Sequence, residues 1–267
     1  MISLGDSTIA LSLPQLLTVL CPWHQFQHPA PQFCEAHVCA WIMEPANAWS
    51  SLAYSLVGIG LCVRHPDKAN PDQSKGFVEI LGPIGILLGL ASFAYHAAYT
   101  PSAQFLDLLS MFLLSNWVLV LNCTRSGMIP IHGIPWMWLG GVLGSTLFLG
   151  ISLQWGRTIF GLELAATIVA EIYLYLKGKT ASYQDFWIII TLFAAAFLMW
   201  SFDLYRITCN PDLHWLQGHA IWHILTAVCL VFIDRFYRQI FSSSSSGLLG
   251  KGSVASLPEL RNPEAHR

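Results

Sequence analysis

Charge is what this chain has least of. Lys and Arg number 13 and Asp and Glu 15, so only 10% of its 267 residues are charged, against about a quarter in a soluble domain. With 54% of the residues hydrophobic, that shortage argues for an integral membrane protein. A formal net charge of −2 and the lack of any basic patch argue against a nucleic-acid partner. Seven cysteines contain no CxxC pair, which removes the signature of a structural zinc ribbon. The first residues lack a basic n-region, and their apolar stretch, Ile9 to Leu20, is interrupted by Pro14. It reads as an interfacial or loosely ordered segment, neither a cleaved signal nor a full span. There is no sequence repeat and no sign of a second domain.

What the chain does have is long apolar runs. Seven reach spanning length, at roughly Ala46–Val63, Val78–Ala98, Ala103–Cys123, Pro135–Trp155, Thr158–Leu176, Phe186–Phe202 and Leu213–Ile233. They do not alternate polar and apolar residues as barrel strands do. The expected fold is an all-α membrane protein, a seven-transmembrane helix bundle over residues 44–240. It follows an extracytoplasmic segment, 1–43, and precedes a disordered cytosolic tail, 241–267, that opens on a serine run. Basic residues set the orientation. Arg64, Lys68, Lys75, Arg125, Lys177, Lys179, Arg235, Arg238, Lys251, Arg261 and Arg267 fall on one side, and only Arg157 and Arg206 on the other. The N-terminus is therefore expected outside or in a lumen, and the C-terminus in the cytosol.

The last span carries Gly218-His219-Ala220-Ile221-Trp222-His223. Two histidines four apart share one helix face, a chelating spacing for a metal that takes imidazole nitrogen. In the expected orientation the second span ends on the outer side near His96, the third starts there with Asp107, and the seventh starts there with His219 and His223. Ser92 lies one turn before His96. Of the other histidines only His214, at the very start of the seventh span, falls within one. Three neutral imidazoles and a water form the open tetrahedral set of catalytic zinc, which lowers the water's pKa towards ~7 and polarises a carbonyl. Asp107 is suited to take the water's proton and return it to a leaving group, and Ser92 to donate to a developing oxyanion. The same histidines could serve as axial ligands of haem, although haem gives no reason for Ser92 and Asp107 beside them. A receptor-like signalling protein with a structural zinc is the other reading.

Ahead of the first span, Glu35 and Glu44, with backbone carbonyls and Asn47 nearby, could bind a hard cation such as calcium. Two solvated acids in a loop are the competing reading. Glu163 and Glu171, two turns apart in the fifth span, are expected to face other helices or water, and no role is assigned to them.

Taken together, Phe33-Cys34-Glu35, Glu44-x-x-Asn47-x-x-Ser50, Ser92-x-x-x-His96, Gln104-x-x-Asp107, Trp200-x-x-Asp203, Cys209 and Gly218-His219-x-x-Trp222-His223 resemble the alkaline ceramidases. These belong to a wider membrane hydrolase group that includes adiponectin-receptor-like proteins. The resemblance implies seven helices, zinc on His96, His219 and His223, Asp107 as proton shuttle and Ser92 as auxiliary donor. It implies cleavage of the amide of ceramide or a related N-acyl lipid, drawn from the bilayer, to a fatty acid and a sphingoid base. It also pairs Cys34 with Cys209, on the side where a disulfide persists. The family's calcium loop resembles Asp-Trp-Cys-Glu-x-Asn followed by a further Glu. Here Gln32, Phe33 and His37 stand at the first, second and sixth positions, which removes hard oxygen ligands and leaves Glu35 and Glu44 as the calcium candidates.

Overall fold

In a computed structural model, the described residues are 2–4, 7–9, 21–23, 25–29, 32–64, 73–178 and 182–249. Among these residues, seven helices are long and apolar enough to cross a membrane. We label them α1 (Pro45–Val63), α2 (Leu81–Ala98), α3 (Pro101–Ser126), α4 (Ile134–Ile151), α5 (Gly156–Leu176), α6 (Gln184–Leu204) and α7 (Gly218–Leu249). A short helix, Gln73–Glu79, leads into α2. One exception to an all-helical chain is a small antiparallel hairpin, in which Ile2 faces Ile9. The rest of the apolar stretch that ends at Leu20 lies outside the described residues, as does the tail beyond Leu249.

Two boundaries differ from the sequence expectation, each for a local reason. The fourth helix stops at Ile151 rather than Trp155. Ser152 takes an extended conformation, and a 3-10 turn, Leu153–Trp155, swings the chain directly into α5. The last helix begins at Gly218 rather than Leu213, because the Gln217 side chain donates to the carbonyls of Asn210 and Leu213 and closes the preceding turn. That helix then runs through the serine run to Leu249, past the expected start of the tail.

α1 packs most extensively on α2 and also on α7; α7 packs on α6, and α3 on α2, α4 and α5. Small residues make the α1–α2 approach possible. A Cβ on Gly58 would sit 2.6 Å from the carbonyl oxygen of Gly82, so only glycine fits there. Between 44% and 56% of each of α1, α2, α3 and α7 is buried, against 11–17% of α4, α5 and α6. The first four form the core, and the other three present apolar side chains such as Trp136, Ile151 and Leu176 outward, as a lipid-facing wall does. The largest buried apolar cluster, with Leu81, Trp117, Leu121 and Phe236, lies at the end of the bundle away from His96. α2 and α3 are joined by only Tyr99 and Thr100. Tyr99 adopts a left-handed conformation (φ 47°), and Thr100 caps α3 by accepting from the Ala103 N–H. A left-handed tyrosine costs of order 1–3 kcal/mol and is held by burial of its ring and by stacking on Tyr95. This tight reversal sets the start of α3, with Asp107, beside the end of α2, with His96.

Candidate metal centre

Three imidazoles converge from two helices. His96 sits in the last turn of α2, and His219 and His223 in the first two turns of α7; all three are buried. One ring nitrogen of each lies within 4.8 Å of the others, so the group could hold a metal ion. His96 Nε2 and His219 Nε2 are 3.2 Å apart. Ligands about 2.0–2.1 Å from a tetrahedral zinc stand about 3.3 Å from each other, so the spacing fits one small ion and leaves no room for a macrocycle between the rings.

The far ring nitrogens are held in the manner of metal-ligating histidines. His96 Nδ1 meets Glu44 Oε2 at 2.6 Å. His223 Nδ1 meets Ser50 Oγ at 3.0 Å, and the Ser50 hydroxyl donates to the Asn47 carbonyl. A hydroxyl has one hydrogen to give, so Ser50 accepts from His223 Nδ1–H, which leaves the lone pair on Nε2. His219 is oriented differently: Phe33 stacks on its ring, centroids 3.8 Å apart.

Acids outside the trio position the helices that carry it. Asp203, at the end of α6, accepts from the Cys34 N–H with Oδ1 (2.8 Å) and from the His219 N–H with Oδ2 (3.0 Å). It thereby caps α7 from a neighbouring helix, where an N-terminal donor would otherwise be orphaned. Gly218 permits the approach, since a Cβ there would meet the Met199 carbonyl at 2.6 Å. Glu35 caps α1 in the same way, through the N–H groups of Ala46 (2.8 Å) and Asn47 (3.0 Å). Glu44 is the residue in the capping position of α1 but makes no capping bond. Its carboxylate is taken up by His96, by His37 (3.1 Å) and by the Asn47 amide. Burial raises the Glu35 pKa despite those two N–H donors and His214. Burial opposes the charge on Glu44 as well, but its bonds from His37 and His96 prevail and hold its pKa below the usual carboxylate range.

If the trio holds metal, replacing Glu44 with glutamine, which keeps the shape but loses the carboxylate behind His96, is expected to weaken zinc binding about 10- to 100-fold. Competition with a chromophoric chelator measures this, and unchanged affinity would show that Glu44 supports only the loop.

Beneath the trio opens a cavity of about 490 Å³. Its head is lined by His219, His223, Ser92 and Asp107, and Ser92 hydrogen-bonds to Asp107. Its floor is lined by Asn122, Glu171 and Tyr237. His223 to Tyr237 is fourteen residues of one helix, roughly 21 Å at 1.5 Å per residue. Between head and floor the wall is apolar, with Leu164, Ile168, Ile189 and Phe193 among its residues. α5 packs on α3 and α6 on α7, while α5 and α6 barely meet each other. Glu171 pairs with Arg125 at the floor, and Glu163 accepts from Ser115, Asn116 and Ser145. Both therefore serve helix packing.

Cys34 and Cys209 are bonded to each other, which ties the loop before α1 to the loop before α7. A second bridge, Cys21–Cys39, was not anticipated from the sequence. Nor were the roles of Ser50, Asp203, His37 and His214. The first two stand within the motif runs, but His223, which Ser50 meets, and Cys34, one of the two residues that Asp203 holds, lie 173 and 169 residues away.

Fold and site together define a seven-helix protein with a buried three-histidine centre at the head of a long apolar cavity. The chain belongs to the ceramidase family, whose model matches residues 29–246. The matched residues take in the whole site, from Phe33 to His223. That family implies a hydrolase of amide bonds and a lipid substrate met in a membrane. No individual curated protein matches the chain.

Proposed function

We propose that this chain is a multi-pass membrane amidase that uses zinc to hydrolyse the amide of ceramide or a related N-acyl lipid, giving a fatty acid and a sphingoid base or other amine. The observation that carries this reading is the convergence of His96, His219 and His223 at the head of a cavity whose wall holds Asp107. His96, His219 and His223 would hold the zinc, which when bound supplies Lewis-acid polarisation of the amide carbonyl and acidifies water at the site. Asp107 accepts the attacking water's proton and delivers it to the departing nitrogen. Ser92 donates to the Asp107 carboxylate and keeps it aimed at the head of the cavity. The apolar wall receives the acyl chain and excludes water from the reacting carbonyl. The narrow contact between α5 and α6 is the way in from the bilayer. The head of the cavity faces outward, a reading supported by the distribution of Lys and Arg and by the disulfides at that end.

In this reading Glu35 and Glu44 hold α1 and His96 rather than a calcium ion, since their oxygens already accept from the backbone of Ala46 and Asn47 and face His37, His96 and His214. The test is hydrolysis of a fluorescent N-acyl sphingosine by the purified, zinc-loaded protein. Equal amounts of fatty acid and sphingoid base are expected, at the same rate with and without added calcium. Zinc without turnover of any N-acyl lipid would return the protein to the receptor-like class.

A further inference from the structure

One group at the head of the cavity has no place in this chemistry. Arg157 is the only Arg or Lys among the described residues that line the cavity. Its Nη1 is inaccessible to solvent and has no hydrogen-bond partner among the described residues. Most other described arginines pair with an acid, Arg64 and Arg238 with Asp234, Arg125 (which also has an unpartnered buried Nη2) with Glu171, and Arg235 with Asp185; the exposed Arg206 does not. No acid pairs with Arg157 among the described residues. Its depth is fixed by its neighbours. Gly156 lies against the side chain of Leu108, next to Asp107. Arg157 also lies in the first turn of α5, where the helix dipole adds positive potential.

A buried guanidinium nitrogen without an acceptor is costly, and its planar fork matches a carboxylate or phosphate. We propose that Arg157 binds a carboxylate that the lipid brings to the head of the cavity. This rests on the amidase reading for the identity of the lipid. Two sources share that chemistry: an acidic group on the amine half of the substrate, as in an N-acyl amino acid, and the carboxylate of the fatty acid that hydrolysis releases. In either case the acyl chain runs down the apolar wall towards Asn122 and Tyr237.

The test measures binding first and turnover second. Wild type, Arg157→Gln and Arg157→Lys, each loaded with zinc in detergent, are titrated by calorimetry with N-oleoylglycine, with oleate and with the neutral N-oleoyl sphingosine. A charge-assisted hydrogen bond corresponds to a change of about 10- to 100-fold. The glutamine variant is expected to bind one or both acids more weakly by that factor relative to the neutral lipid, and lysine to restore part of the difference. Loss confined to N-oleoylglycine assigns the group to the substrate's amine half and should also lower kcat/KM for that lipid relative to the neutral one. Loss confined to oleate assigns it to the released acid and should relieve product inhibition. If all three lipids bind alike to wild type and the glutamine variant, the proposal is wrong. Binding that changes as expected with no cleavage of any lipid would overturn the amidase reading and leave the role of Arg157 standing.

Discussion

Replacing His219 with alanine is expected to take the purified protein from about one zinc per chain to almost none, and with it at least about a thousandfold of its hydrolytic rate. The size of the effect follows from the geometry. His219 supplies one of three converging imidazoles, and its Nε2 is 3.2 Å from that of His96. A tetrahedral site with two remaining protein ligands is not a stable zinc site. The substitution should leave the helix in place, because the bond that fixes the start of α7 runs from the His219 backbone N–H to Asp203 and does not use the ring. Metal content by mass spectrometry, turnover and thermal stability of the metal-free protein would be measured together. Loss of zinc and turnover with an unchanged metal-free melting temperature is the expected pattern. Full zinc occupancy in the variant would mean that the three histidines do not form the metal site.

Asp107→Asn separates the catalytic reading from a merely structural zinc. Asp107 lies on α3, contributes nothing to the histidine group, and is hydrogen-bonded by Ser92 on α2. Asparagine keeps its size and can still accept from Ser92 but cannot carry a proton between water and the leaving nitrogen. The variant is therefore expected to retain zinc while kcat falls about 10²- to 10⁴-fold, with KM much less affected. Loss of both kcat and zinc would place Asp107 in the metal's own support. Unchanged turnover would remove it from the reaction.

The spans were legible because apolar runs of bilayer length are a property of composition, and seven of them are visible without any contact information. The histidine centre was legible for a different reason. His219 and His223 are related by helical periodicity, and the depth of His96 and Asp107 follows from where their spans begin and end. What the sequence did not disclose is everything held by a partner in a loop. Glu35 and Glu44 read as cation ligands because acids in a loop look alike whether they meet a metal or an N–H group. Only the fold shows that Ala46, Asn47, His37, His96 and His214 are the groups that meet them. Ser50 and Asp203 carry no periodic signal towards His223 and α7, and Gln217 gives no hint from composition that it ends the turn before that helix. The boundary at Ile151 escaped for a related reason. Leu153 and Trp155 are as apolar as the helix they follow, so only the backbone at Ser152 marks the break.

The bridge between Cys34 and Cys209 spans 175 residues, and this has a bearing on biosynthesis. At about 5–20 residues per second, Cys34 leaves the ribosome roughly 10–35 s before its partner exists. By then α1 to α6 have been made, and His96 has been waiting for two ligands that follow Cys209 along the chain. The centre can therefore be completed only near the end of synthesis, after most of the bundle has entered the bilayer. If the trio takes up metal as proposed, its loading and the oxidation of this cysteine pair become neighbouring late steps of maturation, and a host unable to oxidise the pair would deliver a protein whose Phe33 loop is not fastened over its histidines.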